Sequence, residues 1–390
     1  MELVEFSPDG SSCEFEKDRH LWYLQMMYEI LPSHYQCQEI NRLTLAYFVI
    51  SSLNILDALD QVDKERVVNW ILSFQAYPKT RGELEKGQFY GFHGSRTSQY
   101  PQDDEGDLKY NGSHLASTYC ALAILKILGY NLSSIDSESI LLSMRALQKP
   151  DGSFVPLHVG AENDLRFVYC AGKKQVLFVD PFWFWHEVRK GRYKWGSVKQ
   201  KLFCVSAAIC SMLGSWDGMD QEKAKEYILK CQSYDGGFGL TPGSESHGGG
   251  TYCAVASLRL MGFIEDDHIS KSSESSIIDL PMLLRWCLQR QAPDGGFQGR
   301  SNKASDTCYA FWIGGVLRIL GGYRFISKRA LYDFLLTCQS EYGGFSKFPG
   351  ELPDLYHTFY GFTAFSLLGE PGLKPFCVEL GIPIIAPLGI

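Results

Sequence analysis

The chain has 390 residues, 45% hydrophobic and 14% aromatic, which is enough for a large packed core. Its net charge of −7 speaks against a nucleic-acid partner, so any anionic ligand needs a local basic cluster. No run of about 18 apolar residues is present, which excludes a transmembrane helix.

The first twenty residues are acidic and polar and do not read as a secretory signal. The 12 cysteines lack the spacing of a disulfide scaffold, and several, such as Cys120 and Cys253, sit in apolar helical runs. They read as reduced thiols in a cytoplasmic protein.

Along the chain, two phrases alternate. One is Ser113-His-Leu-Ala-Ser-Thr-Tyr-Cys-Ala121, which returns as Ser246-His-Gly-Gly-Gly-Thr-Tyr-Cys-Ala254. Each opens a run that is apolar on nearly every side, Thr118–Gly129 and Thr251–Gly262, as expected of helices buried all round. The other is Gln148-Lys-Pro-Asp-Gly-Ser-Phe154, which returns at Gln232–Phe238, Gln291–Phe297 and Gln339–Phe345. Each copy follows a helical run such as 221–232 or Tyr332–Cys338, and its glycines suit a helix stop and a tight turn. Each repeat therefore reads as an amphipathic outer helix, a glycine-rich turn and a buried inner helix. Few segments read as strands. Closure of the array into a ring buries the inner helices fully, whereas an open solenoid would not. The expected fold is all-α, a closed α/α barrel (toroid) of about six helical hairpins, in one domain over residues 1–390.

Residues 172–206 break the pattern. Phe154 and Phe238 are 84 residues apart, against 48 for Phe297 and Phe345. The segment carries eight Lys or Arg against Asp180 and Glu187, and three of the eight Trp. Joining Ala171 to Ala207 restores a 12-residue inner-helix run ending at Gly214. The expectation is a retained-intron-like insertion; the competing reading is a basic, aromatic loop for a membrane or partner.

Three clusters can carry chemistry. Ser305 or Asp306 caps the helix that carries Cys308, so Asp306 and Cys308 can converge there despite their spacing. His357 opens the next buried helix, and successive inner helices present the same ends to one rim. One carboxylate, one thiolate and one imidazole make a three-ligand zinc site with an open position that can hold a substrate thiolate. The same residue types also suit a buried core thiol and imidazole. The second cluster is basic: Arg300, Lys303, Tyr309, and His247 before Gly248 and Gly249, whose amides at a helix start could take phosphate oxygens. The third is aromatic. Tyr309-Ala310-Phe311-Trp312 and Phe359, Tyr360 and Phe362 suit core packing and equally the wall of a long isoprenoid pocket.

These segments resemble the β subunits of the protein prenyltransferases over nearly the whole chain except 172–206. The resemblance rests on the Gln-x-x-Asp-Gly-Gly-Phe repeats, Asp306-Thr-Cys308-Tyr and Leu355-Tyr-His357. It implies one catalytic Zn²⁺ on Asp306, Cys308 and His357. It implies a diphosphate grip by His247, Arg300, Lys303 and Tyr309, and Arg166 near the carboxylate of a peptide substrate. It also implies an α-subunit partner. Within the family the chain is most similar to type I geranylgeranyl subunits of the plant form. Thr44, in Arg42–Phe48, stands where farnesyl enzymes carry a Trp, which opens room for a fourth isoprene beside Phe48. Lys347 stands where they carry a magnesium-binding Asp, so Mg²⁺ is expected not to be required. The implied activity is transfer from geranylgeranyl diphosphate to the Cys of C-terminal Cys-aliphatic-aliphatic-Leu tails. The alternatives are a farnesyltransferase β subunit, or a non-catalytic helical scaffold if 172–206 disables the barrel.

Overall fold

The computed structural model describes residues 14–78, 82, 89–96, 113–155, 203–265 and 277–384. Twelve α-helices lie among them, alternating between an outer and an inner layer. The outer helices are α1 (Lys17–Glu29), α3 (Lys64–Leu72), α5 (Ser137–Arg145), α7 (Gln221–Lys230), α9 (Leu280–Leu288) and α11 (Lys328–Thr337). The inner helices are α2 (Arg42–Ile55), α4 (Leu115–Ile127), α6 (Phe203–Leu213), α8 (Gly248–Leu260), α10 (Thr307–Leu320) and α12 (Leu355–Leu368). Each inner helix packs on the next, α2 on α4, α4 on α6, and so on to α12, which returns to α2. The ring is closed and holds six hairpins, as the all-round apolar character of the inner runs requires.

The repeated glutamine explains how neighbouring hairpins lock. Gln148 Nε2 donates to Asp220 O at 2.9 Å, and Asp220 N donates back to its Oε1 at 2.6 Å. Asp220 is the N-cap of α7, the next outer helix. Gln232 makes the same two-way latch to Asp279, the N-cap of α9. Gln291 makes it to Ser327, before α11. Gln339 closes the ring, donating to Glu14 O at 3.0 Å and accepting from Glu16 N at 3.1 Å. Each amide oxygen thus takes a backbone N–H at a helix start, and each amide N–H adds a bond to a backbone carbonyl there, which for Asp220, Asp279 and Ser327 already accepts from the helix.

The glycine in each turn has a steric reason as well. Gly152, Gly236, Gly295 and Gly343 have φ between 82° and 92°. A Cβ there would lie 2.0–2.3 Å from the backbone of the first turn of the following outer helix, or of α1 for Gly343. Only glycine permits both the conformation and the approach. The phenylalanines Phe154, Phe238, Phe297 and Phe345 are fully buried behind these turns.

The chain's last described stretch enters the bore where α2 ends, with Lys374 N donating to Ile55 O at 2.8 Å, and reaches up to the second turn of five inner helices. Strands β1 (Phe376–Cys377) and β2 (Ile382–Pro383) form a short antiparallel hairpin. Tyr252 on α8 donates to Val378 O at 2.6 Å, and Tyr119 on α4 to Leu380 O at 2.8 Å. Tyr47 on α2 donates to Gly381 O. Phe376 stacks edge-on against Phe311 of α10 and Phe359 of α12. Contacts to five of the six inner helices put the hairpin on the barrel axis. The sequence gives no hint of this plug, because two-residue strands lack a readable alternation.

The segment 172–206 lies outside the described residues except for its last four. Those four, 203–206, form the first turn of α6, which runs unbroken through the expected junction at Ala207. Phe203-Cys-Val-Ser206 supplies the same apolar and small pattern as the other inner-helix starts, and Val205 and Ser206 are fully buried.

Candidate metal centre and anion pocket

The inner helices all begin at one rim, and their caps supply the site. Asp306 has extended backbone at the N-cap of α10, and its Oδ1 accepts from Cys308 N at 3.0 Å. The cap turns Asp306 back over the helix start, so it meets Cys308 although the two are only two residues apart. His357 sits in the first turn of α12. The ligand atoms of Asp306, Cys308 and His357 all lie within 4.8 Å of one another, and all three residues are buried.

Asp354 completes the arrangement and was not anticipated. It caps α12 by accepting from His357 N at 2.8 Å, and its other oxygen takes His357 Nδ1 at 2.6 Å. The Asp-x-x-His spacing at a helix start was the available signal. The Nδ1–H bond fixes the tautomer and turns Nε2 inward as a lone-pair donor. That Nε2 is buried and has no hydrogen-bond partner; Asp306 Oδ1, at 3.4 Å, lacks the geometry for one. An orphaned buried nitrogen beside a carboxylate and a thiol is the donor set of a metal with an open position. Without the metal, burial opposes charge on His357, but Asp306, Asp354 and Cys308 outweigh it and hold its pKa well above the ordinary value. Burial likewise opposes ionisation of Asp306, yet His357 and the bonds from Cys308 keep its carboxyl below the usual range.

A cavity of about 630 Å³ opens beside this centre. Asp306, His247, Arg300, Lys303, Tyr309 and Lys347 all line it. His247 Nδ1 accepts from Gly249 N at 3.0 Å, so Nε2 carries the proton toward Tyr309 Oη at 3.1 Å. The inner-helix N-termini point at this rim, and their dipoles favour an anion.

The glycines work differently from the expectation. Gly248 N donates to Gly299 O at 2.8 Å and Gly249 N to His247, so neither amide is available for phosphate. Their value is steric. A Cβ on Gly248 would lie 2.9 Å from the Tyr309 ring, and one on Gly299 only 2.0 Å from it. Absent side chains at these positions let Tyr309 reach His247.

The apolar wall lies below. Thr44 is buried in the first turn of α2, with the Cys120 thiol 3.7 Å from its hydroxyl. Phe48, one turn on, packs against Tyr356, Phe359 and Tyr360 of α12. Trp312 donates to Tyr356 Oη at 3.3 Å, and Ala310 and Phe311 are fully buried beside it. Arg166 lies outside the described residues.

A closed ring of six hairpins with this rim defines a class. Residues 15–180 and 185–382 match the model of the prenyltransferase alpha-alpha toroid domain, and the chain belongs to that family. Within it, the chain is 62% identical to the geranylgeranyl transferase type-1 subunit beta of Arabidopsis thaliana, over 99% of this chain and 94% of the relative. The Dictyostelium discoideum protein of the same name is 32% identical over 90% of each chain. Among solved structures, Candida albicans protein geranylgeranyltransferase-I complexed with GGPP superposes with a TM-score of 0.72, covering 95% of this chain and 96% of that one. At 22% identity it supports the fold.

Proposed function

We propose that this chain is the catalytic β subunit of a zinc-dependent type I protein geranylgeranyltransferase. It works with an α subunit in the cytoplasm. It transfers the C20 group of geranylgeranyl diphosphate to the cysteine of C-terminal Cys-aliphatic-aliphatic-Leu tails, forming a thioether and releasing diphosphate. One observation carries the reading: a buried Asp-Cys-His donor set with an orphaned nitrogen opens onto a cavity lined by three cations. The 62% identity over nearly the full chain supports the subtype.

Asp306, Cys308 and His357 would hold the zinc, with Asp354 orienting His357. Zinc there supplies a Lewis acid that keeps the substrate thiol as thiolate at neutral pH. Arg300, Lys303 and Lys347 grip the donor diphosphate and offset the charge that grows on it as the C–O bond breaks. Lys347 does so without a second metal, so Mg²⁺ is not required. His247 and Tyr309 add oriented donors. Thr44 and Phe48 bound the end of the isoprenoid, and Arg166 meets the peptide carboxylate. By the repeat spacing alone this reading leaves residues 172–206 outside the functional form, against the burial of Val205 and Ser206 in α6 and a family match that runs through 185–206. Messages that uniformly encode them, in a fully active heterodimer, would remove that part of it.

The test is label transfer by the zinc-loaded heterodimer from C20 and C15 diphosphates to peptides ending in Leu or Ser. Preference for C20 and Leu is expected. Preference for C15 and Ser would instead make it a farnesyl enzyme, and no transfer at all would favour a helical scaffold.

A further inference from the structure

The anion pocket contains an anion of its own. Glu245 lines the same cavity as Arg300, Lys303 and Lys347, and its carboxylate lies 3.0 Å from Arg300 Nη1. Among the described residues Lys303 and Lys347 have no carboxylate partner, so Arg300 is singled out. Both neighbours of Glu245 are tied down. Ser244 Oγ accepts from Leu240 N at 2.9 Å and Thr241 N at 3.0 Å and donates to Thr241 O at 2.7 Å. Ser246 is buried and its hydroxyl donates to Asp235 in the preceding Asp-Gly-Gly turn. The backbone at 245 is therefore fixed at the cavity mouth, and only the side chain is left to move.

We infer that Glu245 is a competing anion: it occupies Arg300 while the donor is absent, yields it to the diphosphate, and takes it back as diphosphate leaves. The inference rests on the donor reading above. The pair is half exposed, with side chains 44% and 58% accessible, so it is weak enough to exchange. An incoming diphosphate must break that pair and then sit near a fixed negative charge. Both effects weaken its hold, and they act equally on donor and on diphosphate product. Glu245 is thus a positioning residue that keeps three cations from retaining the product, which matters where product release limits turnover.

The zinc-loaded heterodimer tests this with Glu245→Gln, which keeps size and polarity and removes the charge. Binding of geranylgeranyl diphosphate and inhibition by inorganic diphosphate should each tighten about two- to fivefold, the range of an exposed ion pair. Binding of geranylgeraniol, which lacks phosphate, should not change. In an Arg300→Met background the added Glu245→Gln change should lose most of its effect, because the competition runs through Arg300. A merely structural pair would not make diphosphate inhibition depend on residue 245. Unchanged inhibition in Glu245→Gln, or an undiminished effect in the Arg300→Met background, overturns the inference and leaves the donor reading intact. Failure of the unmodified heterodimer to bind either diphosphate overturns both.

Discussion

The two ends of the barrel are made by the same six inner helices and are chemically opposite. The rim at their N-termini is polar. His114, His247, Asp306 and Asp354 cap four of the helices, and cations gather at the mouth. From the other end the Phe376–Pro383 hairpin enters the bore, and three tyrosine hydroxyls and two aromatic contacts from the second turns of the inner helices hold it. Helix polarity accounts for the difference. N-termini present donors and positive dipoles, which suit anions and capping side chains, whereas the hairpin is held by side chains deeper in the bore. One rim is thus free to carry chemistry while the hairpin carries stability.

That division can be broken most strongly at the hairpin. Phe376→Ala should lower the unfolding free energy by about 3–5 kcal/mol, as for other buried aromatic truncations. Zinc content at the rim should not change. Denaturant unfolding and metal analysis of the same preparation check both halves; parallel loss of zinc would mean that the two ends are not independent.

A slightly smaller effect is expected at the seam where α1 meets the turn that follows α11. His20 is buried, Gly344 N donates to its Nδ1 at 2.9 Å, and its Nε2 lies 3.0 Å from Gln339 Oε1. Burial, only partly opposed by Gln339, lowers its pKa to about 4. Above pH ~6.5 both folded and unfolded chains carry it neutral, so nothing is lost there. As pH falls from about 6.5 toward 4, the unfolded chain takes a proton that the fold refuses. About 3 kcal/mol should be lost across that window. Unfolding measured against pH should show this slope, and His20→Gln should flatten it.

At the wall beneath the rim, Thr44→Trp should fill the space beside Cys120 and shift donor preference from C20 toward C15 by about tenfold, near the scale of pocket-size discrimination. Competition between the two donors measures it, and unchanged preference would place the discriminating wall elsewhere. Smaller still, Lys347→Asp should slow the Mg²⁺-free reaction several-fold and create a Mg²⁺ dependence. A strong Mg²⁺ requirement in the unmodified enzyme would contradict the role given to Lys347.

Much of this was legible in the chain because repetition exposes it. The Gln-to-Phe turns recur with one spacing, and the inner runs are apolar on every side, so hairpins and closure follow. The first copy escaped notice. Gln75 pairs with Phe92 as Gln148 pairs with Phe154, but 17 residues separate the first pair and only six the second. The clustering of Asp306, Cys308 and His357 was readable because a capping Asp and a helix-start His are local features. Asp354 was missed although its signal was local too. The hairpin plug was not readable at all. Its contacts join Tyr47, Tyr119 and Tyr252 to a segment more than 120 residues away, and a buried tyrosine in an apolar helix reads as ordinary core. The bonded amides of Gly248 and Gly249 were hidden for the same reason, since one partner, Gly299, lies on another turn.

The central claim is that the rim holds a catalytic zinc beside a separate diphosphate grip. The most direct measurement is zinc content, donor binding and peptide prenylation in the Cys308→Ala heterodimer. Prenylation should be abolished and zinc reduced, while geranylgeranyl diphosphate still binds through Arg300, Lys303 and Lys347. Full zinc and full activity in that variant would contradict the account.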